Sequence, residues 1–331
     1  MAFNTRQVGR TNLKVTELGL GGATLGGNME KVADDAGRRI VDTAYDAGIR
    51  YFDTAPYYGH GRSEHVMGDA LRSRKDYVLS TKVGRLLKPV PDLSKMPDFG
   101  WQNPFPFEPV FDYSYDAIMR TYEDSLQRLG LAHIDILFIH DVDVYLADSG
   151  PAEFEKAVSG AYRALDELRR NGDVTAIGMG VNEAKPIADA LPLGTWDVFL
   201  LAGRYTLLEQ APLQTLFPDL EKHGASIVIG GPFNSGVLAG RETWNYAKAP
   251  PDVMERVAGL KRVADAHKVP LAAAALQFVL AHPLICSVIP GPRSADEFKQ
   301  ILEWHGMSLP AALWNDLKSE GLVEADAPIP G

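Results

Sequence analysis

The stretch IDILFIHDVDVYLADSGPAEFEKAVSGAYRALDELRRNGDVTAIGMGV, residues 134–181, decides how the chain folds. It opens on an apolar, β-branched run, IDILFIH (134–140), and closes on another, VTAIGMGV (174–181). Between them, Phe154–Arg170 repeats apolar residues every three or four positions, the period of an amphipathic helix. Gly172 stands where such a helix ends. A strand, a long helix and a second strand make a crossover unit, which leaves its two strands parallel.

The same alternation runs outward in both directions. Upstream strands are expected at TELGLGG (16–22), RYFDTA (50–55) and YVLSTKV (77–83), and downstream ones at DVFLLAG (197–203), SIVIGG (226–231) and SVIP (287–290). Helical period recurs over 34–47, 115–129, 212–223, 253–267 and 295–304, with Pro212 suited to a first turn and Gly224 to a helix end. Eight strand–helix alternations predict a single (β/α)₈ TIM barrel over residues 1–331, capped by an N-terminal hairpin. Such a barrel needs about 250 residues. The surplus is assigned to the stretch before residue 16, to a Pro- and aromatic-rich loop from Gly84 to Tyr113, to 271–280 and to the tail from Pro310. No Gly/Ser-rich or charged linker interrupts the chain.

Composition narrows the function. The chain is 46% hydrophobic and 23% charged, ordinary for a globular protein, and has no apolar run long enough for a membrane span. MAFNTRQVGRTNLKV lacks the apolar core of a signal peptide, so a cytoplasmic protein is expected. A formal charge of −10 without clustered Lys or Arg argues against nucleic acid as partner. The lone cysteine, Cys286, lies in the apolar run LICSVIP and reads as a buried thiol. Nothing in the pattern speaks to the number of subunits.

In such barrels the chemistry sits where strands end and the following loops begin. Asp53 ends the second strand, with Tyr58 five residues on; Lys82 ends the third and His140 the fourth. Each is a polar residue closing an apolar run, and closure brings them to one mouth. An ammonium at Lys82 favours the phenolate of Tyr58, and Asp53 pairs that ammonium. His140 donates to a substrate oxygen, while Tyr58 gives or takes the proton. No step requires a metal.

These words also carry a resemblance. YFDTAPYYGHGRSEHVMG (51–68), STKVG (80–84), DILFIHD (135–141), VGRTNLKVTELGLGG (8–22) and SVIPGPRS (287–294) resemble the motifs of the aldo-keto reductase superfamily. The resemblance implies a catalytic tetrad of Asp53, Tyr58, Lys82 and His140 and a nicotinamide cofactor bound without a Rossmann domain. LGLGGAT (18–24) fits that absence, since Thr24 stands where the last Gly of G-x-G-x-x-G would be. GGPFNSGVLAG (230–240) and PGPRSADEF (290–298) follow the last two strands, where barrels often bind phosphate. By resemblance the first supplies Gly231, Pro232, Phe233, Asn234, Ser235, Gly236 and Leu238 to the pyrophosphate. The second supplies Pro290, Gly291, Arg293 and Glu297 to the adenosine ribose, and Asn182 grips the nicotinamide carboxamide.

The chain departs from the family pattern at Gly230, Ala202, Ile301 and Glu297. A carboxylate at Glu297 would repel a 2′-phosphate and accept from a ribose hydroxyl, so NAD is expected over NADP, although Arg293 pulls the other way. FDYSYDAIMRTYEDSLQRLGL (111–131) and GGPFNSGVLAG are similar to the branch of D-threo-aldose (L-fucose) dehydrogenases and pyridoxal 4-dehydrogenases. That likeness implies oxidation of a cyclic hemiacetal to a lactone. Trp101, Phe105, Phe107, Phe111 and Tyr113 are candidates to line the substrate pocket or to pack their own loop. Asp141 and Asp143 could bind substrate hydroxyls or simply face water. Two other readings stay open: an NADPH-dependent aldehyde reductase and a cofactor-binding regulatory subunit.

Overall fold

The computed structural model describes residues 3–145 and 150–331. Eight parallel strands form one sheet: Leu20–Gly21 (β1), Tyr51–Asp53 (β2), Val78–Val83 (β3), Ile136–His140 (β4), Ala176–Val181 (β5), Val198–Ala202 (β6), Ser226–Gly230 (β7) and Ile285–Ile289 (β8). They lie side by side in chain order from β1 to β8. The two edges meet where Leu18 bridges Val288 and Gly19 N–H donates to Val288 O at 2.8 Å. The sheet is therefore a barrel, and the expected alternation is its architecture.

Period-two alternation sorts the strand residues into two cores. Outward-facing Phe52, Leu79, Leu137, Ile139, Ile177 and Phe199 pack on the surrounding helices. Inward-facing Tyr51, Val78, Ile136, Phe138, Ala176, Val198 and Leu200 fill the interior, together with Val8 and Val15. Those two valines come from the antiparallel hairpin Thr5–Gln7/Lys14–Thr16, which plugs the barrel at the end opposite the strand C-termini. One end is thus closed by packing, and the other is left for chemistry.

The outer ring is Asp34–Ala47 (α1), Arg62–Leu71 (α2), Tyr115–Leu129 (α3), Pro151–Asn171 (α4), Ala184–Ala190 (α5), Phe217–His223 (α6), Pro251–Ala266 (α7), Leu271–Leu280 (α8), Ala295–Gly306 (α9) and Ala311–Ser319 (α10). Gly172 and Gly224 end α4 and α6 in the left-handed region, at φ 81° and 64°, as their positions predict. Three expectations are corrected. The helix expected over 212–223 breaks into Pro212–Thr215 and α6, with Pro218 in the first turn of α6. Residues 271–280, assigned to surplus, form α8, whose alanines are buried because they sit close against the barrel. The loop after β3 carries its own antiparallel pair, Arg85–Pro89 with Phe107–Phe111. No single helix among the described residues is long and apolar enough to cross a membrane.

Candidate active site

Alternation along the strands aims the chemistry inward. Tyr51 faces the interior and Phe52 the helices, so Asp53 faces the interior again. The same count turns Ser80 and Lys82 inward on β3, and His140 on β4. Lys82 is 1% exposed, and its Nζ donates to Asp53 Oδ2 at 2.7 Å and to Thr54 O at 2.9 Å. Ser80 Oγ donates to the other carboxylate oxygen at 2.7 Å, and Tyr51 hydroxyl lies 3.0 Å from Ser80 Oγ. Burial pushes the Asp53 carboxyl up, while Lys82 and Ser80 pull it down. We read the pair as ionised, because protonating Asp53 would leave a buried ammonium without its counter-charge.

Tyr58 enters on the loop after β2. That loop is held by backbone touching backbone: a Cβ on Gly59, at φ +61°, would lie 2.4 Å from Gly26 O, and one on Gly26 would lie 2.4 Å from Tyr58 C. Lys82 Nζ is 4.6 Å from the centre of the Tyr58 ring. The His140 ring stands nearly perpendicular to it, centres 5.7 Å apart. The four polar strand-end and loop residues are thus gathered at one mouth. Their electrostatics differ from expectation. Burial first, then the charge of Asp53, pushes the Tyr58 phenol well above its ordinary value. The Asp53 carboxylate that pairs Lys82 opposes the lowering expected from the lysine. His140 is driven well below its ordinary value by burial and by Arg85 and Lys82, so its ring is neutral. A neutral imidazole keeps one N–H to donate and one lone pair to accept.

Two cavities meet at Tyr58. A groove of about 530 Å³ runs from Tyr58 and Asp53 over Gly21, Gly22, Leu200, Ala202 and Gly230 to the N-terminus of α9. A second cavity of about 560 Å³ is walled by Tyr57, Tyr58, Phe99, Trp101, His140, Asp141, Asn182 and Tyr246. The groove fits a dinucleotide. Its floor is made of glycines and small residues, and its far end is a helix N-terminus capped by Ser294, whose side chain accepts from Glu297 N–H.

Most residues assigned to the cofactor line this groove: Gly231, Pro232, Phe233, Ser235, Gly236, Pro290, Gly291, Arg293 and Glu297. Asn182 instead lines the second cavity and donates to Asp141 Oδ1 at 3.2 Å. Asn234 and Leu238 do not line the groove. Asn234 turns away to donate to Gly203 O at 2.9 Å and Glu209 Oε1 at 3.0 Å, and Leu238 is buried in the outer core. The Arg293 side chain bonds Glu297, and its Nη1 reaches Glu30 Oε1 at 2.7 Å. Arg241 bonds the same Glu30 oxygen at 2.8 Å.

Of the substrate candidates, Trp101 and Asp141 line the second cavity. Phe105 lies under the Arg62 guanidinium at 4.4 Å, and Phe107 pairs with Pro89 in the loop's own hairpin. Tyr113 is buried behind the site, where it accepts from Arg85 at 2.7 Å and donates to His140 O at 2.8 Å. Sequence reasoning missed Arg85, Tyr57, Phe99 and Tyr246. Arg85 is 2% exposed and also donates to His140 O at 2.7 Å, so it props the strand end that bears His140. A charge placed directly after Gly84, at the exit of the lysine strand, was its available signal. Tyr246 had none; it arrives at the tip of the small hairpin Thr243–Trp244/Ala247–Lys248.

The aldo/keto reductase family model matches residues 17–319. The chain is similar to the pyridoxal 4-dehydrogenase of Microbacterium luteolum, at 44% identity over 97% of this chain and 98% of that one. It is also similar to a D-threo-aldose 1-dehydrogenase of a Pseudomonas species, at 34% identity over 94% and 95%. The holo form of the aldo-keto reductase AKR11C1 from Bacillus halodurans shares the fold at a TM-score of 0.75 and 25% identity, over 98% of both chains.

Proposed function

This chain belongs to the aldo/keto reductase family, a family of oxidoreductases, and on that premise we propose that it is an NAD-dependent dehydrogenase. In this reading it oxidises the hemiacetal carbon of an aldopyranose, or of pyridoxal, to a lactone. The observation that carries the reading is the position of Tyr58 where groove and cavity meet, lining both. A group that moves a proton during hydride transfer must touch the cofactor side and the substrate side at once.

A nicotinamide cofactor held in the groove would supply the hydride acceptor. The chain's residues handle the proton. In its phenolate form, Tyr58 Oη takes the hydroxyl proton as the carbon gives up its hydride. The neutral His140 ring holds the same oxygen by a hydrogen bond. Lys82, fixed by Asp53 and Thr54 O, presents a rigid charge under the Tyr58 ring and needs no reorganisation during the reaction. NAD is favoured because Arg293 and Arg241, the cations lining the groove among the described residues, are both paired with carboxylates.

The aldehyde-reductase reading draws on one specific observation: the raised Tyr58 phenol holds its proton ready to give. The regulatory reading gains nothing from a site whose acid–base groups converge. Following NADH and NADPH absorbance with D-arabinose, L-fucose, pyridoxal and simple aldehydes tests all three. Sugar- or pyridoxal-dependent NADH formation is expected, and Tyr58→Phe should lower it by about 10²–10⁴-fold while NADH still binds. Efficiency ten times higher with NADP would overturn the NAD reading.

A further inference from the structure

Asp141 is the residue the proton-transfer scheme leaves unused. It directly follows His140 and lines the substrate cavity. Its side chain is 18% exposed. Its φ of 39° lies in the left-handed region, uncommon for a residue with a side chain. Backbone in such a conformation persists only where the surrounding structure holds it. Here the ladder continues through Asp141 N–H to Gly180 O at 2.9 Å, while the carboxylate turns into the cavity.

Three groups meet that carboxylate. Asn182 Nδ2 reaches Oδ1 at 3.2 Å, His140 Nε2 lies 3.3 Å from Oδ2, and Arg85 Nη2 is 3.8 Å from Oδ2. The Arg85 contact is an ion pair beyond hydrogen-bond length, and the His140 N–H is wanted by the substrate. A carboxylate offers about four acceptor positions. Asp141 therefore keeps acceptor capacity directed at the cavity, beside the ring that holds the reacting oxygen.

We propose that Asp141 is a specificity-determining residue that accepts a hydrogen bond from a hydroxyl on the carbon next to the one oxidised. This rests on the hemiacetal reading above and narrows it to polyhydroxylated substrates. A substrate oxygen held by His140 puts its neighbouring carbon's hydroxyl against the adjacent carboxylate. A substrate without that hydroxyl leaves a partly buried carboxylate dehydrated and unanswered, which disfavours it. Arg85 and Asn182 act as positioning residues that hold Asp141 in place.

D-arabinose and 2-deoxy-D-ribose form the test pair, since they differ only at the carbon beside the reacting one. Wild-type protein with NAD is expected to favour D-arabinose by about 10–100-fold in kcat/KM, the scale of one hydrogen bond to a charged group. The difference should fall mainly in KM. Asp141→Asn should lose at least tenfold more efficiency on D-arabinose than on 2-deoxy-D-ribose, with NADH binding followed by fluorescence to verify a folded groove. Equal turnover of both sugars by wild type, or equal losses in the variant, overturns the proposal alone. No turnover of either sugar, with pyridoxal or a simple aldehyde turned over instead, overturns the sugar reading and the proposal with it.

Discussion

Burial holds the Tyr58 phenol protonated through the neutral range, so oxidation, which needs it as a base, should speed up as pH rises. The expected profile is a kcat/KM for oxidation that climbs from pH 6 to 9 while the reverse reduction does not; a flat oxidation profile would count against Tyr58 as the base. Asp141 behaves differently. Burial and the neighbouring Asp143 push its carboxyl up to about 6, against Arg85, Lys82 and the Asn182 hydrogen bond, which pull it down. His140, Tyr58 and Tyr246 also face it across the cavity. The unfolded chain ionises this group first, so the folded protein binds more protons between the ordinary carboxylate range and about 6. Stability from this group is present below that window and lost above it. Asp141→Asn should therefore raise the thermal midpoint at pH 8, by up to about 3 kcal/mol of stability, and the gain should vanish near pH 4. Calorimetry at the two pH values reads the difference. A stabilising substitution that weakens sugar oxidation is what a functional carboxylate in a poorly solvated site should give.

Two elements position the reactive groups. The loop after β2 sits on Gly26 and Gly59 with no room for a Cβ. Gly59→Ala should displace the Tyr58 ring by a few tenths of an ångström to an ångström, enough to cost up to about 10²-fold in kcat. NADH affinity should change far less, since the groove floor lies elsewhere; equal losses in both would mean the loop's role is general packing. The second element is the charged clasp across the groove, in which Glu30 bonds Arg241 and Arg293, and Glu297 bonds Arg293. Replacing Glu30 and Glu297 together by Gln frees both guanidinium groups. The ratio of efficiencies, NADP over NAD, is expected to rise about tenfold or more, the scale of roughly 1 kcal/mol per charge at contact distance in water. An unchanged ratio would remove the clasp from cofactor choice.

The whole molecule separates stability from chemistry along the barrel axis. Val8 and Val15, brought by the hairpin, complete the interior core at the end away from Lys82 and His140. Val15→Ala should cost roughly 1–3 kcal/mol in denaturant unfolding while leaving KM near its original value at 25 °C. A matching loss of substrate affinity would mean that the two ends are coupled.

Periodicity carried the strands, their parallel order and the inward aim of Asp53, Lys82 and His140, because alternation along a strand is a local property of the chain. Tyr58 was legible as a loop residue five positions past a strand end, and its choice over Tyr57 came from the motif resemblance. What the sequence could not supply was which long-range neighbours share a cavity. The placing of Phe105, Phe107 and Tyr113 outside the cavity, and of Arg85 and Tyr246 at or behind it, depends on a loop hairpin and a distant flap that meet only in the folded barrel. Asn234 reads as a phosphate-loop residue, yet its side chain answers Glu209 and Gly203 instead. The protonation of Tyr58 is likewise a tertiary fact. Sequence places Lys82 and its partner Asp53 nearby; only packing decides that burial, with the Asp53 charge, keeps the phenol protonated.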